Sequence, residues 1–143
     1  MPDLDPHLDA LLAAALSARV RAYAPYSGYR VGAAILDETG RIAAGCNVEN
    51  AAYPVGTCAE AGAVAAMVAG GGTRIAAILI VAEGPTLVTP CGACRQRIRE
   101  FAADAVPVHL ADLDDIRQTL SVADILPFAF GPDRLPTGPD ARG

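Results

Sequence analysis

Residues 75–82, Ile-Ala-Ala-Ile-Leu-Ile-Val-Ala, are an unbroken apolar run of strand length. A strand with one wet face alternates apolar and polar residues, and this one does not. It therefore predicts a central strand covered on both sides. The run is the longest of its kind in the chain and far shorter than the roughly 18 residues of a membrane span. A helical pattern over 91–101 and a short apolar run over 106–110 follow it. Strand, helix and strand make a βαβ unit, whose crossover should be right-handed.

Upstream, Leu8, Leu11, Leu12, Ala15, Leu16 and Val20 recur at helical spacing, which predicts a helix over 6–23 with Asp5 as its cap and Pro6 in its first turn. Two short apolar runs, 31–36 and 42–48, flank Asp37-Glu38-Thr39-Gly40 and predict a β-hairpin. Gly45 inside the second run signals a bulge or a close backbone approach. Residues 47–56 are expected to form a loop. A second helix is expected over 58–68, stopped by Gly70-Gly71-Gly72 and built almost wholly of small residues. Ser121-Val122-Ala123-Asp124 is a capping box opening a last short helix or turn, ended by Pro127. Residues 131–143 are rich in Pro, Gly and Asp and are expected to form a loose tail. The expected fold class is α/β: one domain over 1–143, in three layers, α/β/α, with a mixed central sheet in which the hairpin is followed by parallel strands.

Composition narrows the function. Of 143 residues 52% are hydrophobic and only 19% charged, which excludes a disordered chain. The net charge of −5 lacks the basic footprint of a nucleic-acid binder. Met1-Pro2-Asp3-Leu4-Asp5 is acidic where a secretory signal needs positive charge, so a cytoplasmic location is expected. In a reducing compartment the four cysteines point to metal or catalytic chemistry rather than to bridges.

Cys91 and Cys94 in Pro90-Cys91-Gly92-Ala93-Cys94 share one helix face. With Thr89 as cap and Pro90 at the first position, Cys91 falls in the first turn, where the helix dipole favours a thiolate. Cys58 opens the second helix in the same way. Two helix starts can converge on one cation, and three thiolates bind Zn²⁺ while leaving one tetrahedral position open for catalysis. Cys46, His7 and His109 are the remaining candidates for a fourth ligand. A closed site using Cys46 would be structural. A thiol oxidoreductase using Cys91 and Cys94 is a further alternative, although the loop 83–90 separates the motif from its strand. Glu60 has two readings. It can complete a Thr57-x-x-Glu60 capping box, or it can serve as general acid and base two residues after a zinc ligand. The pattern Cys-x-Glu…Pro-Cys-x-x-Cys is that of zinc nucleobase deaminases, in which the Glu is not a ligand.

Over about 24–101 the chain resembles the small homotetrameric zinc-dependent cytidine deaminases. The resemblance rests on Pro25-Tyr26-Ser27, Val31-Gly32-Ala33-Ala34, the segment from Gly45 to Tyr53, Cys58-Ala59-Glu60 and Pro90-Cys91-Gly92-Ala93-Cys94-Arg95-Gln96, with a weaker echo at 126–132. It implies one Zn²⁺ per chain on Cys58, Cys91 and Cys94, with Glu60 as proton shuttle. It implies that Asn47 and Glu49 bind the ribose, that the Ala59 N–H binds the pyrimidine carbonyl and that Tyr29 packs near the base. Tyr53 and Phe128 match positions at which neighbouring subunits of a homotetramer complete the pocket; a core plug is the other reading of Phe128. The implied reaction is hydrolysis of cytidine, and of deoxycytidine, to uridine and ammonia in pyrimidine salvage, with no nucleic-acid or membrane partner. One departure stands out. Many family members carry Arg after Cys-Ala-Glu, which offsets the charge of three thiolates, and here the residue is Ala61. A blasticidin-S deaminase, which also lacks that Arg, is the nearest alternative.

Overall fold

The computed structural model describes residues 5–139. The run at 75–82 forms β3 (Ile75–Ala82), buried along its whole length. It lies at the centre of a five-stranded sheet with β1 (Val31–Asp37), β2 (Ile42–Cys46), β4 (Pro107–Ala111) and β5 (Ile116–Ser121), in the order β2-β1-β3-β4-β5. β1 runs antiparallel to both β2 and β3, β3 is parallel to β4, and β5 returns antiparallel to β4. The hairpin, the βαβ unit and the mixed sheet are as expected. β5 was not expected. Its Arg117, Gln118 and Thr119 are exposed on an edge strand, where the apolar signal of a strand is weakest.

The side-chain alternation of β1, β3 and β4 divides the core into two layers. Ala33, Ile35, Ile78, Ile80, Val108 and Leu110 face one side, where they meet α2 (Ala59–Ala69), α3 (Gly92–Phe101) and α4 (Val122–Ile125). Ala34, Leu36, Ala77, Leu79, Val81 and Ala111 face the other, with Leu11 and Ala15 of α1 (Leu8–Arg19). This is the three-layer arrangement, and burial on both faces explains the continuous apolar run of β3.

α1 is shorter than its spacing suggests. A 3-10 turn, Asp5–His7, precedes it, and His7 at its N-cap makes no side-chain cap bond. The expected Asp5 side-chain cap lies outside the described residues. The helix stops at Arg19 because the chain turns away to pair elsewhere. The Tyr23 N–H donates to Asn47 O at 3.0 Å and Tyr23 O accepts from the Glu49 N–H at 2.8 Å. Val20, placed on the apolar stripe by its spacing, is consequently 63% exposed.

α2 sits close to the sheet because Gly45 permits it. A Cβ at that position would lie 2.4 Å from Ala63 N, inside any real contact distance. The capping box at Ser121 and Asp124 forms as expected and opens α4. The tail begins later than expected. Gly131 and Pro132 are buried, a 3-10 turn spans Pro132–Arg134, and Arg99 Nη2 pairs with Asp133 Oδ1 at 3.2 Å. The last part of the expected tail, 140–143, lies outside the described residues. Among the described residues no helix is long and apolar enough to cross a membrane.

Candidate active site

β2 and β3 are both antiparallel to β1, so they run in the same direction. Each is followed by a helix on the same face of the sheet, so α2 and α3 both start at the same sheet edge. This is the carboxyl end of the strands, where open α/β sheets place their sites. Cys58 is the N-cap of α2, and Cys91 is the N-cap of α3. Cys91 thus stands two positions further out than expected, and Thr89 and Pro90 precede the helix instead of capping and opening it. Cys94 follows within the first turn and is buried.

The three sulfurs lie within 4.8 Å of one another, and Cys58 Sγ is 3.8 Å from Cys91 Sγ. Tetrahedral zinc with bonds of about 2.3 Å separates its sulfur ligands by about 3.8 Å. The donor set and its spacing therefore fit zinc. Burial pushes the Cys58 and Cys94 thiols up from their ordinary range. Burial also works against ionisation of Cys91, but the Cys94 N–H and the two neighbouring thiols outweigh it and lower Cys91. Such a cluster exchanges its protons for a cation. Cys46 is half-buried and outside the cluster, so a closed four-cysteine site does not form. His109 is elsewhere, its Nδ1 2.8 Å from Thr119 Oγ1 between β4 and β5.

Glu60 is 4% exposed in the first turn of α2. Because the N-cap is Cys58 and not Thr57, the capping-box reading of Glu60 fails. Burial raises its pKa from the ordinary carboxylate value, and its own backbone N–H, the Cys94 thiol and the Arg97 charge recover only part of that shift. A carboxyl poised in this way suits proton transfer in both directions.

A cavity of about 560 Å³ opens beside the sulfurs. Tyr29, Asn47, Glu49, Tyr53, Cys58, Ala59, Glu60 and Cys91 all line it. Ala59 is the first residue of α2, so its N–H has no partner within the helix. Asn47 and Glu49 organise the wall of this cavity. Asn47 Nδ2 donates to Tyr29 O at 2.8 Å, and its Oδ1 accepts from the Val31 N–H at 2.9 Å. Glu49 accepts from the Ser27 hydroxyl and from the N–H groups of Tyr26 and Ser27 at 2.9 and 3.1 Å. The Ser27 hydroxyl contributes most to holding the Glu49 carboxyl below its ordinary pKa. Tyr26 meets Tyr53 edge-on, with ring centroids 5.8 Å apart.

Phe128 is not brought into this cavity. It is fully exposed, at a separate hollow lined also by Leu126 and Arg99, with φ of 52°. That exposure excludes the core-plug reading. Sequence reasoning passed over Ser27, Val88 and Thr89 as cavity residues, because isolated loop positions carry no periodic signal. Arg95, the residue directly after Cys94, donates to Pro90 O at 2.8 Å and Ile125 O at 3.0 Å. Arg97 was detectable from its spacing of three after Cys94, and its Nη1 lies 3.6 Å from Cys94 Sγ.

A thiolate metal centre shared by two helix starts, with a buried acid beside it on a mixed sheet, defines a class. Residues 6–110 match the cytidine and deoxycytidylate deaminase zinc-binding region, and the chain belongs to that family. Within it, the cytidine deaminase of Sporosarcina psychrophila is 45% identical over 129 residues, 90% of this chain and 94% of that protein. The cytidine deaminase of Mycobacterium tuberculosis H37Rv is 39% identical over 136 residues, 95% of this chain and 97% of that protein. Among solved structures, cytidine deaminase from Burkholderia pseudomallei superposes with a TM-score of 0.79 at 43% identity, covering 85% of this chain and 98% of that one. The Mycobacterium tuberculosis structure gives 0.75 at 37% identity, with coverage of 90% and 99%.

Proposed function

We propose that this protein is a zinc-dependent cytidine deaminase that hydrolyses cytidine and deoxycytidine to uridine or deoxyuridine and ammonia. The observation that carries the reading is the buried Glu60 carboxyl, raised in pKa, lining one cavity with Cys58 and Cys91 of the three-cysteine cluster. Cys58, Cys91 and Cys94 would hold the zinc, which when bound would supply a water acidified toward neutrality. Glu60 takes the proton of the attacking water and delivers it to N3 of the base. It then carries the second proton to the departing amino group. Water adds at C4, the C4–N bond breaks, and ammonia leaves. The Ala59 N–H donates to the carbonyl of the base. Asn47 keeps one amide hydrogen and Glu49 keeps lone pairs for the ribose hydroxyls, beyond the bonds they make to the 26–31 segment. Tyr29 packs near the base.

Among the described residues no Lys or Arg lines the cavity, and Glu49 presents a carboxylate there. A phosphate would meet that carboxylate without a counterion, which favours a nucleoside over a nucleotide. The chain acts in cytoplasmic pyrimidine salvage as a homotetramer. Phe128, exposed and at a positive φ that costs about 1–3 kcal/mol in a non-glycine residue, supports this assembly, as does Tyr53 at 75% exposure. Both residues complete pockets across subunit contacts.

Zinc per chain and ammonia release from cytidine, deoxycytidine, deoxycytidylate and blasticidin S test the reading. One zinc with turnover of the two plain nucleosides supports it. Preference for the nucleotide or for blasticidin S sinks the substrate assignment. Phe128→Ala should raise KM while sedimentation still reports four subunits, and a wild-type monomer would refute the assembly.

A further inference from the structure

Three thiolates around a divalent cation carry a formal excess of one negative charge, and the buried Glu60 carboxyl lines the same cavity as Cys58 and Cys91. The starts of α2 and α3 offset part of this, each acting as roughly half a positive charge. The remainder calls for a cation. α2 carries no basic residue, and the position three after Cys58 is Ala61. α3 carries three arginines. Arg95 is committed to two backbone carbonyls. Arg99 is paired with Asp133 at 3.2 Å and Asp104 at 3.7 Å. Arg97 lies one turn beyond Cys94 on the same helix face, and its Nη1 donates to Cys94 Sγ at 3.6 Å. Its charge reaches Glu60 as well.

We propose that Arg97 is the charge-balancing positioning residue of this metal centre, hydrogen-bonded from α3 to the Cys94 sulfur and so fixing how firmly zinc is retained. The inference rests on Cys58, Cys91 and Cys94 being the zinc ligands. A guanidinium held against a ligand sulfur offsets the excess negative charge of the site and orients that sulfur toward the cation. Groups that support metal ligands from outside typically change metal affinity 10–100-fold when removed. Arg97 is itself exposed, so its replacement leaves the core intact.

The test is zinc transfer from the holoprotein to a chromophoric chelator, followed for wild type, Arg97→Gln and Arg97→Glu, with the melting temperature of each zinc-loaded protein measured alongside. Arg97→Gln should release zinc about tenfold faster and Arg97→Glu faster still, at melting temperatures near that of wild type. Wild-type release rates in both variants overturn the inference. So does Arg97→Glu releasing zinc no faster than Arg97→Gln, or release that merely tracks a fall in melting temperature, since either marks packing rather than charge. A wild-type protein that takes up no zinc would instead remove the metal reading itself.

Discussion

Replacing Gly45 by Ala perturbs the contact that sets the height of α2 above the sheet. The added Cβ would lie 2.4 Å from Ala63 N, 2.6 Å from Gly62 C and 2.7 Å from Ala59 O. Favourable contacts of this kind begin at about 3.5 Å, so α2 must retreat by about 1 Å. All three atoms are backbone, and no rotamer change relieves the overlap. Overpacking of this kind costs about 1–3 kcal/mol. At about 4 °C per kcal/mol for a domain of this size, the melting temperature should fall by about 4–12 °C. The catalytic loss is separate. α2 carries Cys58 at its N-cap and Glu60 in its first turn, so its retreat moves a metal ligand and the acid together. A misplacement of about 1 Å costs about 100-fold in rate. Calorimetry of the zinc-loaded protein and ammonia release from cytidine measure the two effects. Gly62→Ala is the matched control from the other side of the same contact. Its Cβ would meet Gly45 Cα at 3.5 Å and Cys46 O at 3.6 Å, ordinary contact distances. Helix propensity should then leave Gly62→Ala unchanged or up to about 1 kcal/mol more stable. Wild-type stability and activity in Gly45→Ala would refute the reasoning, as would equal losses in the two variants.

Glu60→Gln should keep zinc and KM while losing about 10⁴-fold in kcat, since one carboxyl performs both proton transfers and each is worth about 10²–10⁴. That loss is about 5.4 kcal/mol, and a kcat within tenfold of wild type would remove Glu60 from the reaction. Asp37, at the end of β1, is 4% exposed and accepts from the Thr39 and Arg41 N–H groups and the Thr39 hydroxyl at 2.6–3.0 Å. Burial alone would raise its pKa, but these bonds outweigh it and lower the value below 3.8. A lowered folded-state pKa stabilises the protein above the unfolded value and loses that contribution as pH falls through the folded value. Asp37→Asn should therefore cost about 1–2 kcal/mol at neutral pH, with the gap to wild type closing below about pH 4. Denaturant titrations across pH 2–7 measure it, and a gap independent of pH would refute the account.

The fold was legible where burial leaves a periodic mark. β3 and its neighbours announced a sheet covered on both faces, and the hairpin and βαβ unit followed from spacing alone. β5 was not legible because an edge strand with exposed polar residues carries no such mark. The end of α1 was not legible because Tyr23 leaves the helix to pair with residues more than twenty positions away.

For the site, the local sequence determined the chemistry available: three cysteines at helix starts, and an acid two residues after the first. Only the tertiary structure decided what those groups do together. Parallel directions of β2 and β3 bring α2 and α3 to one sheet edge, which closes Cys58 and Cys91 to 3.8 Å across 33 positions of chain. The same packing buries Glu60 and excludes its capping role. It turns Arg95 toward backbone carbonyls and Arg97 toward sulfur, a choice made by the face each residue occupies on α3. Residue types and spacings set local chemistry, whereas burial and charge balance are sums over elements distant in sequence, which only the folded chain brings together.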